Sequence, residues 1–465
     1  MNGTNNSLTS TLLICIPFCA CMGKPNIIYI VADDLGYGDI GCYGQQKIKT
    51  PNIDRLATEG MLFTQHYAGC PVSAPSRCSL MTGLHTGHTQ IRGNKEIMPE
   101  GQQPMQADTY TISKLMKSAG YNTGLFGKWG LGTPESESTP TTMGFDEFFG
   151  YNCQRKAHSY YPEYLWKNGN KVLLPENENV GRKVYSQELI HTEALKFIRD
   201  NIGKPFFAML TYTLPHAELN LPHDSLYRMY ENSFPETPFE RQGSYYASEK
   251  PKASFAAMVS LLDRYVGELM AEIQRAGIEN NTIIVFTSDN GPHREGGADP
   301  DFFQSYGPLR GTKRSVHEGG IRVPMIIRFP GKVQAGTSSD HVSAFWDVMP
   351  TLAEISGVEL PVQTDGISFL PTLLSESDRQ QQHDYLYWEF HEEGGKIAVR
   401  KENWKLVLLN VTNSTQKSIH LYNIANDIHE DHDLASQYPD VVAEMMAIAA
   451  SSRVDSEVFP FLIAP

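Results

Sequence analysis

The chain has 465 residues, 40% of them hydrophobic, and a formal net charge of −14 at pH 7. This hydrophobic content suffices for a large buried core and excludes a mostly disordered chain. The acidic balance and the lack of any Lys/Arg-rich run argue against a broad basic surface, so we expect no nucleic-acid partner.

The N-terminal residues 1–23 contain a short apolar run at 11–19. A run of this length is typical of the central region of a signal peptide and is too short to span a bilayer. We therefore predict an exported protein without a transmembrane span. Residues 18–21 loosely resemble a lipoprotein cleavage box, which makes a lipid anchor at Cys21 an alternative. An N-terminal extension without a targeting role is a further alternative.

Predicted strands and helices alternate along residues 24–378. In chain order we predict a strand at 25–31, helices at 50–60, 109–119 and 186–201, a strand at 205–211, a helix at 253–276, and strands at 282–287 and 323–328. Apolar runs rich in β-branched residues are typical of strands buried on both faces. Strands separated by helices predict an α/β fold with a mainly parallel sheet flanked by helices.

The C-terminal part has a different pattern. A polar, Gln-rich stretch at 376–383 marks a predicted boundary between residues 24–378 and 379–465. Beyond it, strand-like runs lie at 385–390, 397–400 and 405–409, and a helical stretch lies at 438–451. These runs predict a small antiparallel sheet with one helix.

Two of the predicted strands end in oxygen-bearing side chains. Asp33 and Asp34 follow the first strand, and Asp289 and Asn290 follow the strand at 282–287. Functional sites in open α/β sheets form at the carboxyl ends of strands, so these side chains could converge. Three carboxylates and an amide favour Ca²⁺ or Mg²⁺. Either pair taken alone is better explained as capping a loop after a strand.

A third element is the segment Ser73-Ala-Pro-Ser-Arg77 and the residues up to Gly83. Proline and serine before a helix-forming stretch place Ser73 just before a predicted helix N-terminus, where backbone N–H groups favour an anion. Arg77 lies one turn on and could face the same side. An ordinary capped helix is the alternative interpretation.

The pattern Ser73-x-Pro-Ser-Arg-x-x-x-Met-Thr-Gly83 resembles the signature of the type I sulfatases of the alkaline phosphatase superfamily, and among them the arylsulfatases and N-acetylgalactosamine sulfatases. Further segments that match are 127–129, 215–216, Lys313 ahead of 318–324, 421–423 and 433–435. The resemblance implies an alkaline phosphatase-like fold and oxidation of the signature residue to formylglycine by a maturase. Cys70 lacks a proline two residues on, so Ser73 is the predicted precursor. A serine precursor implies a bacterial source, and with export a periplasmic or outer-surface location.

The same resemblance assigns roles to individual residues. One Ca²⁺ is expected to bind Asp33, Asp34, Asp289, Asn290 and the modified Ser73. In sulfatases the hydrated formylglycine attacks sulfur and its second hydroxyl then expels sulfate. Arg77 is expected to hold the formylglycine, Lys128 and Lys313 to clamp the sulfate, and His216 to donate a proton to the leaving alcohol.

One position departs from the family pattern. Many sulfatases read Gly-Lys-Trp-His-Leu-Gly, where the histidine helps to eliminate sulfate, whereas this chain has Gly130 at that position. We expect His158 or water to take over this step. The predicted substrate contacts are Gln154, His158, His223 and His391.

The predicted substrate is a sulfated saccharide, with galactose or N-acetylgalactosamine units favoured. Two other functions stay open from the sequence. A phosphoesterase of the same superfamily would share the metal site. A non-catalytic protein that binds sulfated glycans would retain Ser73 unmodified, and Gly130 keeps this alternative open.

Overall fold

The computed structural model describes residues 23–463. The strands are β1 (Asn26–Ala32), β2 (Met61–Tyr67), β3 (Asn122–Lys128), β4 (Glu147–Tyr151), β5 (Tyr164–Lys167), β6 (Asn170–Leu173), β7 (Phe206–Thr211), β8 (Thr282–Ser288), β9 (Arg322–Arg328), β10 (Thr337–Ser339), β11 (Ser343–Ala344), β12 (Leu386–Phe390), β13 (Lys396–Lys401), β14 (Trp404–Leu409) and β15 (Ser418–Asn423). The helices are α1 (Pro51–Thr58), α2 (Ser73–Thr82), α3 (Ile112–Ser118), α4 (Ser186–Asp200), α5 (Ser225–Tyr230), α6 (Pro251–Arg275), α7 (Pro300–Phe303), α8 (Glu318–Ile321), α9 (Val348–Ser356), α10 (Leu370–Leu373) and α11 (Pro439–Ser451).

The large sheet has 11 strands in the order β10-β2-β9-β8-β1-β7-β3-β4-β5-β6, with β11 paired to β2. Strands β8, β1, β7, β3 and β4 are parallel neighbours, and Ile28 of β1 stands opposite both Ala208 of β7 and Ile284 of β8. Strand β9 is antiparallel to β2 and β8, and β5 and β6 form an antiparallel edge. The predicted mainly parallel mixed sheet is therefore confirmed.

Helices cover both faces of this sheet. On one face Ile28 and Ile30 of β1 pack with buried side chains of α1, α4 and α6. On the other face Ile27 and Tyr29 pack with side chains of α2, α3 and α9. All seven residues of β1 are buried, which explains why its sequence is a continuous apolar run rather than an alternating one. Burial on both faces places the carboxyl end of β1 at the centre of the domain.

The second sheet is antiparallel in the order β12-β13-β14-β15. Helix α11 packs on one face through Met445 and Ala449. The other face packs on the large domain, where the buried Trp388 lies against Tyr67 and donates its indole N–H to the carbonyl of Ala68 at 2.9 Å. The predicted C-terminal antiparallel sheet with one helix is confirmed, and its predicted start at residue 379 stays a prediction.

Several strands were not predicted from the sequence. The edge hairpin of β5 and β6 turns at Asn168 and Gly169, both with positive φ, and is mostly solvent-exposed at β6. Such short edge strands form because a neighbouring strand supplies hydrogen-bond partners, so their own residues give little signal. Within residues 23–463 no helix has the length and apolar content needed to cross a bilayer. The predicted signal segment and Cys21 lie outside the described residues, apart from Gly23.

Candidate active site

The two acidic strand ends meet at the carboxyl edge of the large sheet. Asp33 and Asp34 follow β1, and Asp289 and Asn290 follow the adjacent parallel strand β8. The backbone N–H of Asp34 donates to Asp289 Oδ1 at 3.1 Å, and Asn290 Nδ2 donates to Asp34 Oδ1 at 2.6 Å. All four side chains are buried. Parallel pairing thus brings together residues that are about 250 positions apart in sequence.

Ser73 is the first residue of α2, a helix whose ten residues are all buried. Its hydroxyl donates to Asp33 Oδ1 at 3.1 Å and accepts from Lys128 Nζ at 3.3 Å. Lys128 is the last residue of β3 and also contacts the Asp33 carboxylate. The helix N-terminus directs partial positive charge at the same point. Position 73 therefore lies between a carboxylate and two sources of positive charge.

Arg77 joins the helix to the two strand ends. Its Nε and Nη2 both lie 2.9 Å from Asp289 Oδ2, and its Nη1 donates to the carbonyl of Lys128 at 3.1 Å. Its Nη2 also lies 3.7 Å from Asp33 Oδ1. A planar guanidinium can make these contacts at once, whereas an ammonium group could not. Arg77 therefore fixes Ser73 relative to the acidic cluster.

A second group of side chains stands on the other side of Asp34. Lys313 Nζ donates to Asp34 Oδ2 and to Glu295 Oε2, both at 2.8 Å, and lies 3.1 Å from His216 Nε2. The Nδ1 of His216 contacts the carbonyl of Ala217, so its Nε2 faces Lys313. Burial and the charge of Lys313 lower the pKa of His216 to about 4. The imidazole is thus neutral near pH 7 in this arrangement.

Glu295 was missed by the sequence reasoning. Its Oε2 contacts Lys313 and its Oε1 accepts from Arg314 Nη1 at 2.7 Å. Burial opposes its ionisation, but the charge of Lys313 outweighs burial and holds the pKa well below the usual range. The one available signal was its place six residues after Asp289 on the same loop. Glu295 therefore acts as a permanent counter-ion that holds Lys313.

The acidic cluster has the donor set of a hard-cation site. The carboxylates of Asp33, Asp34 and Asp289 and the amide of Asn290 present only oxygen donors of the kind that Ca²⁺ accepts. Asn290 Oδ1 is buried and has no hydrogen-bond partner within residues 23–463, so it is available to a cation. Burial and the charge of Asp33 raise the pKa of Asp289 to about 6. These residues fit a divalent cation, which would offset the repulsion between the Asp33 and Asp289 carboxylates.

The space beside Gly130 is filled by another side chain. Gly130 has φ of +71°, and a Cβ built there would lie 2.3 Å from Gln154 Nε2. This Nε2 is buried and has no hydrogen-bond partner among the described residues. The ring of His158 lies elsewhere, stacked on His216 at 4.8 Å, and its Nδ1 lies 3.2 Å from Ser244 Oγ. Gln154, rather than His158, therefore occupies the position next to Gly130.

The other two predicted substrate residues lie in different surroundings. His223 is exposed and stacks on Tyr227 with ring centroids 4.0 Å apart. The ring of His391 stacks on Phe461 at 4.1 Å and its Nε2 lies 2.7 Å from Glu389 Oε1. Neither ring contacts the group formed by Ser73, Lys128, His216 and Lys313 in the described part of the chain.

Comparison with known proteins identifies the family. A family model described as Sulfatase matches residues 25–358, and one described as N-sulphoglucosamine sulphohydrolase, C-terminal, matches residues 311–453. The chain belongs to the sulfatase family and is a sulfuric ester hydrolase. The predicted family membership is therefore confirmed.

Named relatives align over most of the chain. Arylsulfatase A of Homo sapiens is 30% identical, over 94% of this chain and 84% of its own length. An N-acetylgalactosamine-6-O-sulfatase of Bacteroides thetaiotaomicron is 28% identical, over 92% of this chain and 93% of its own. Both alignments cover more than nine-tenths of this chain.

Solved structures show the same architecture. The structure of Ps i-CgsB in complex with k-i-k-neocarrahexaose has a TM-score of 0.76 and 31% identity, covering 91% of this chain and 92% of that one. The phosphonate monoester hydrolase of Agrobacterium radiobacter has a TM-score of 0.66 at 21% identity, covering 95% of this chain and all of that one. This second likeness concerns the fold alone, which is the alkaline phosphatase-like fold.

Proposed function

We propose that the chain removes O-sulfate from a sulfated carbohydrate, with a formylglycine made from Ser73 and one Ca²⁺. The observation that carries this proposal is the position of Ser73 Oγ, 3.1 Å from Asp33 Oδ1 and 3.3 Å from Lys128 Nζ at the start of a buried helix. A nucleophile at this point would face an anionic ester with cationic groups around it, which sulfate transfer requires.

The Ca²⁺ would be held by Asp33, Asp34, Asp289 and Asn290, together with residue 73. A cation there supplies positive charge that polarises the nucleophile and the sulfate oxygens. The hydrated formylglycine supplies the oxygen nucleophile and a second hydroxyl for release of sulfate. Arg77 contributes by holding Asp289 and the start of α2 in fixed positions through its 2.9 Å contacts.

Charge on the substrate would be met by the two lysines. Lys128 lies at the buried end of β3 and Lys313 lies across the cluster, so a sulfate between them would contact an ammonium group on each side. Glu295 holds Lys313 in place. The negative charge of a bound sulfate ester would raise the pKa of His216, so that its Nε2, 3.1 Å from Lys313 Nζ, carries the proton that passes to the leaving alcohol while Lys313 stays charged.

The carbohydrate class is supported by the relatives. Ps i-CgsB was solved with a neocarrahexaose, and a relative from Bacteroides thetaiotaomicron is named for N-acetylgalactosamine 6-O-sulfate. Both cover more than nine-tenths of this chain. We accordingly propose a galactose- or N-acetylgalactosamine-type sulfated saccharide as the substrate.

Export and maturation complete the proposal. We propose that residues 1–23 direct the chain to the periplasm or outer surface of a bacterium, with a lipid anchor at Cys21 as the alternative, and that a serine-type maturase oxidises Ser73. Fractionation of the native host, with mass measurement of the mature N-terminus, separates these forms. An intact N-terminus on cytoplasmic protein would contradict export.

The first test is a peptide mass spectrum across residues 71–77 of protein made in its native host. Formylglycine formation removes two hydrogens from Ser73, and the same preparation should release sulfate from sulfated saccharides. The Ser73→Ala variant should fold and release none. An intact serine in every molecule would overturn the proposed mechanism, and glycan binding without turnover would then favour a binding protein. Preferential release of phosphate from phosphate esters would favour a phosphoesterase instead.

A further inference from the structure

A second concave surface lies next to the catalytic cluster. It is a groove with a volume of about 440 Å³ between residues 155–182 and 241–246. Four of its lining residues are basic, namely Arg155, Lys156, Arg182 and Arg241. A single acidic residue, Glu163, lines it. This is an unusual concentration of positive charge for a chain with a net charge of −14.

Two of these cations have no carboxylate partner. Among the described residues, Lys156 and Arg241 form no ion pair, and each lies over a tyrosine ring. Lys156 Nζ is 5.0 Å from the centroid of Tyr164, and the Arg241 guanidinium is 4.5 Å from that of Tyr246. Ring contacts of this kind orient a cation without neutralising it. Both charges therefore remain available to an anionic ligand.

Arg182 adds a third cation, which contacts the same tyrosine ring. Its guanidinium lies 4.3 Å from the centroid of Tyr246, so Arg182 and Arg241 both contact this ring. Its nearest carboxylate oxygen, Glu218 Oε2, is 3.5 Å away, which is a long contact. Guanidinium groups donate paired hydrogen bonds to two oxygens of a sulfate or a carboxylate, and tyrosine faces suit sugar rings.

The groove is continuous with the catalytic cluster through His158. This residue lines the groove, and its ring stacks on His216 at 4.8 Å. Ser244, also in the groove lining, lies 3.2 Å from His158 Nδ1. A saccharide with one sulfate at Lys128 and Lys313 would thus extend its neighbouring sugar over His158 into the groove.

We infer that this groove binds a second anionic group, a sulfate or a carboxylate, on a sugar next to the one whose sulfate is hydrolysed. The inference rests on the proposed function and narrows its substrate class to oligosaccharides that carry at least two anionic groups. The cations would recognise the second anion, and the tyrosines would contact the sugar that bears it.

The test is calorimetric binding of two defined probes to the full chain, a neocarrahexaose that carries only sulfates and a chondroitin 6-sulfate tetrasaccharide that carries sulfates and carboxylates. The Lys156→Ala/Arg241→Ala variant should bind at least one probe about ten-fold more weakly or worse, because two cations are lost. A weakening confined to the chondroitin probe assigns carboxylate recognition, and weakening with the neocarrahexaose assigns sulfate recognition.

The matched control is Lys204→Ala/Arg275→Ala, which removes two exposed cations, one just before β7 and one at the end of α6. Its Kd should stay within two-fold of that of the parent chain. Equal affinities of the groove variant and the parent would overturn the inference, as would equal losses in both variants or a parent chain that binds neither probe. Sulfate release is measured in parallel. If the groove binds a probe but no sulfate is released, the result contradicts the proposed function and leaves the inference about the groove supported.

Discussion

The side-chain amide of Gln154 lies against Gly130 so closely that a Cβ at position 130 would fall 2.3 Å from Gln154 Nε2. The two residues are 24 positions apart and are joined by the parallel pairing of β3 and β4. Glycine at position 130 therefore leaves room for the glutamine, whose Nε2 has no hydrogen-bond partner in the described part of the chain and is available to a bound anion. The glycine that stands where many sulfatases have a histidine and the glutamine beside it therefore depend on each other: a side chain at position 130 would displace Gln154.

Gly130→Ala should lower both stability and sulfate release. The methyl group would collide with Gln154 in addition to the cost of about 1 kcal/mol for a left-handed residue other than glycine. Gly169→Ala is the matched control, because its φ is +87° and nothing lies within 4 Å of the new Cβ. Thermal unfolding and the rate of sulfate release measure both effects. Equal losses of Tm in the two variants would contradict a steric clash between the methyl group added at position 130 and Gln154.

Removing calcium should destabilise the chain. A cation that binds only the folded state contributes about 2.7 kcal/mol at a concentration 100-fold above its Kd. We expect a chelator to lower Tm by several degrees, and added Ca²⁺ to restore it. Asp33→Asn should abolish this response, whereas Asp301→Asn, at an exposed ion pair with Arg294, should keep it. A parent-chain Tm that does not change with chelator or added Ca²⁺ would contradict the proposed metal site.

Glu295→Gln should lower turnover without removing a group that contacts substrate. Loss of its charge frees Lys313 from one of its two carboxylate partners, and misplacement of a catalytic group by about 1 Å costs up to about 100-fold in rate. We expect kcat for 4-nitrophenyl sulfate to fall about 10-fold or more. Glu376→Gln, at an exposed pair with Arg379, serves as the control. A kcat restored by Glu295→Asp would support the role of Glu295 in positioning Lys313. An unchanged kcat in Glu295→Gln would exclude this role.

Acid should weaken the contact between the C-terminal sheet and the large domain. Glu389 of β12 accepts from Arg92 and Arg453, both at 2.9 Å. Burial opposes its ionisation, but hydrogen bonding from His391 and the charges of His391 and Arg92 lower its pKa to about 2. Because the folded pKa is depressed, the stabilisation is present above pH 4.5 and is lost as the pH falls through 2. Its size is about 3 kcal/mol.

Glu389→Gln tests this dependence by denaturant unfolding at several pH values. At pH 7 the variant should be less stable by about 3–5 kcal/mol, since the buried Arg92 loses its carboxylate partner and Arg453 keeps only Asp455. The difference between variant and parent should narrow below pH 4.5. Glu444→Gln, at an exposed pair with Lys401, should match the parent throughout. A difference that stays constant with pH would contradict the role of Glu389 as an ionised partner.

The sequence alone determined the fold class and the position of the site. Continuous apolar runs such as β1 and amphipathic helices such as α4 carry their own signal, because burial on both faces or on one face dictates the residue pattern. The Asp and Asn residues after β1 and β8 could be expected to meet, since carboxyl ends of parallel strands share one edge. The segment that starts at Ser73 identified the family before any contact was known.

Only the tertiary structure decided which side chains act together at that edge. Glu295 has no sequence signal beyond its position on the loop after Asp289, because its role comes from contacts with Lys313 and Arg314. His391 and His158 have the same side chain, yet one packs on Phe461 and the other stacks on His216. Packing between distant segments determines the surroundings of each histidine, and these surroundings cannot be predicted from the spacing of residues along the chain.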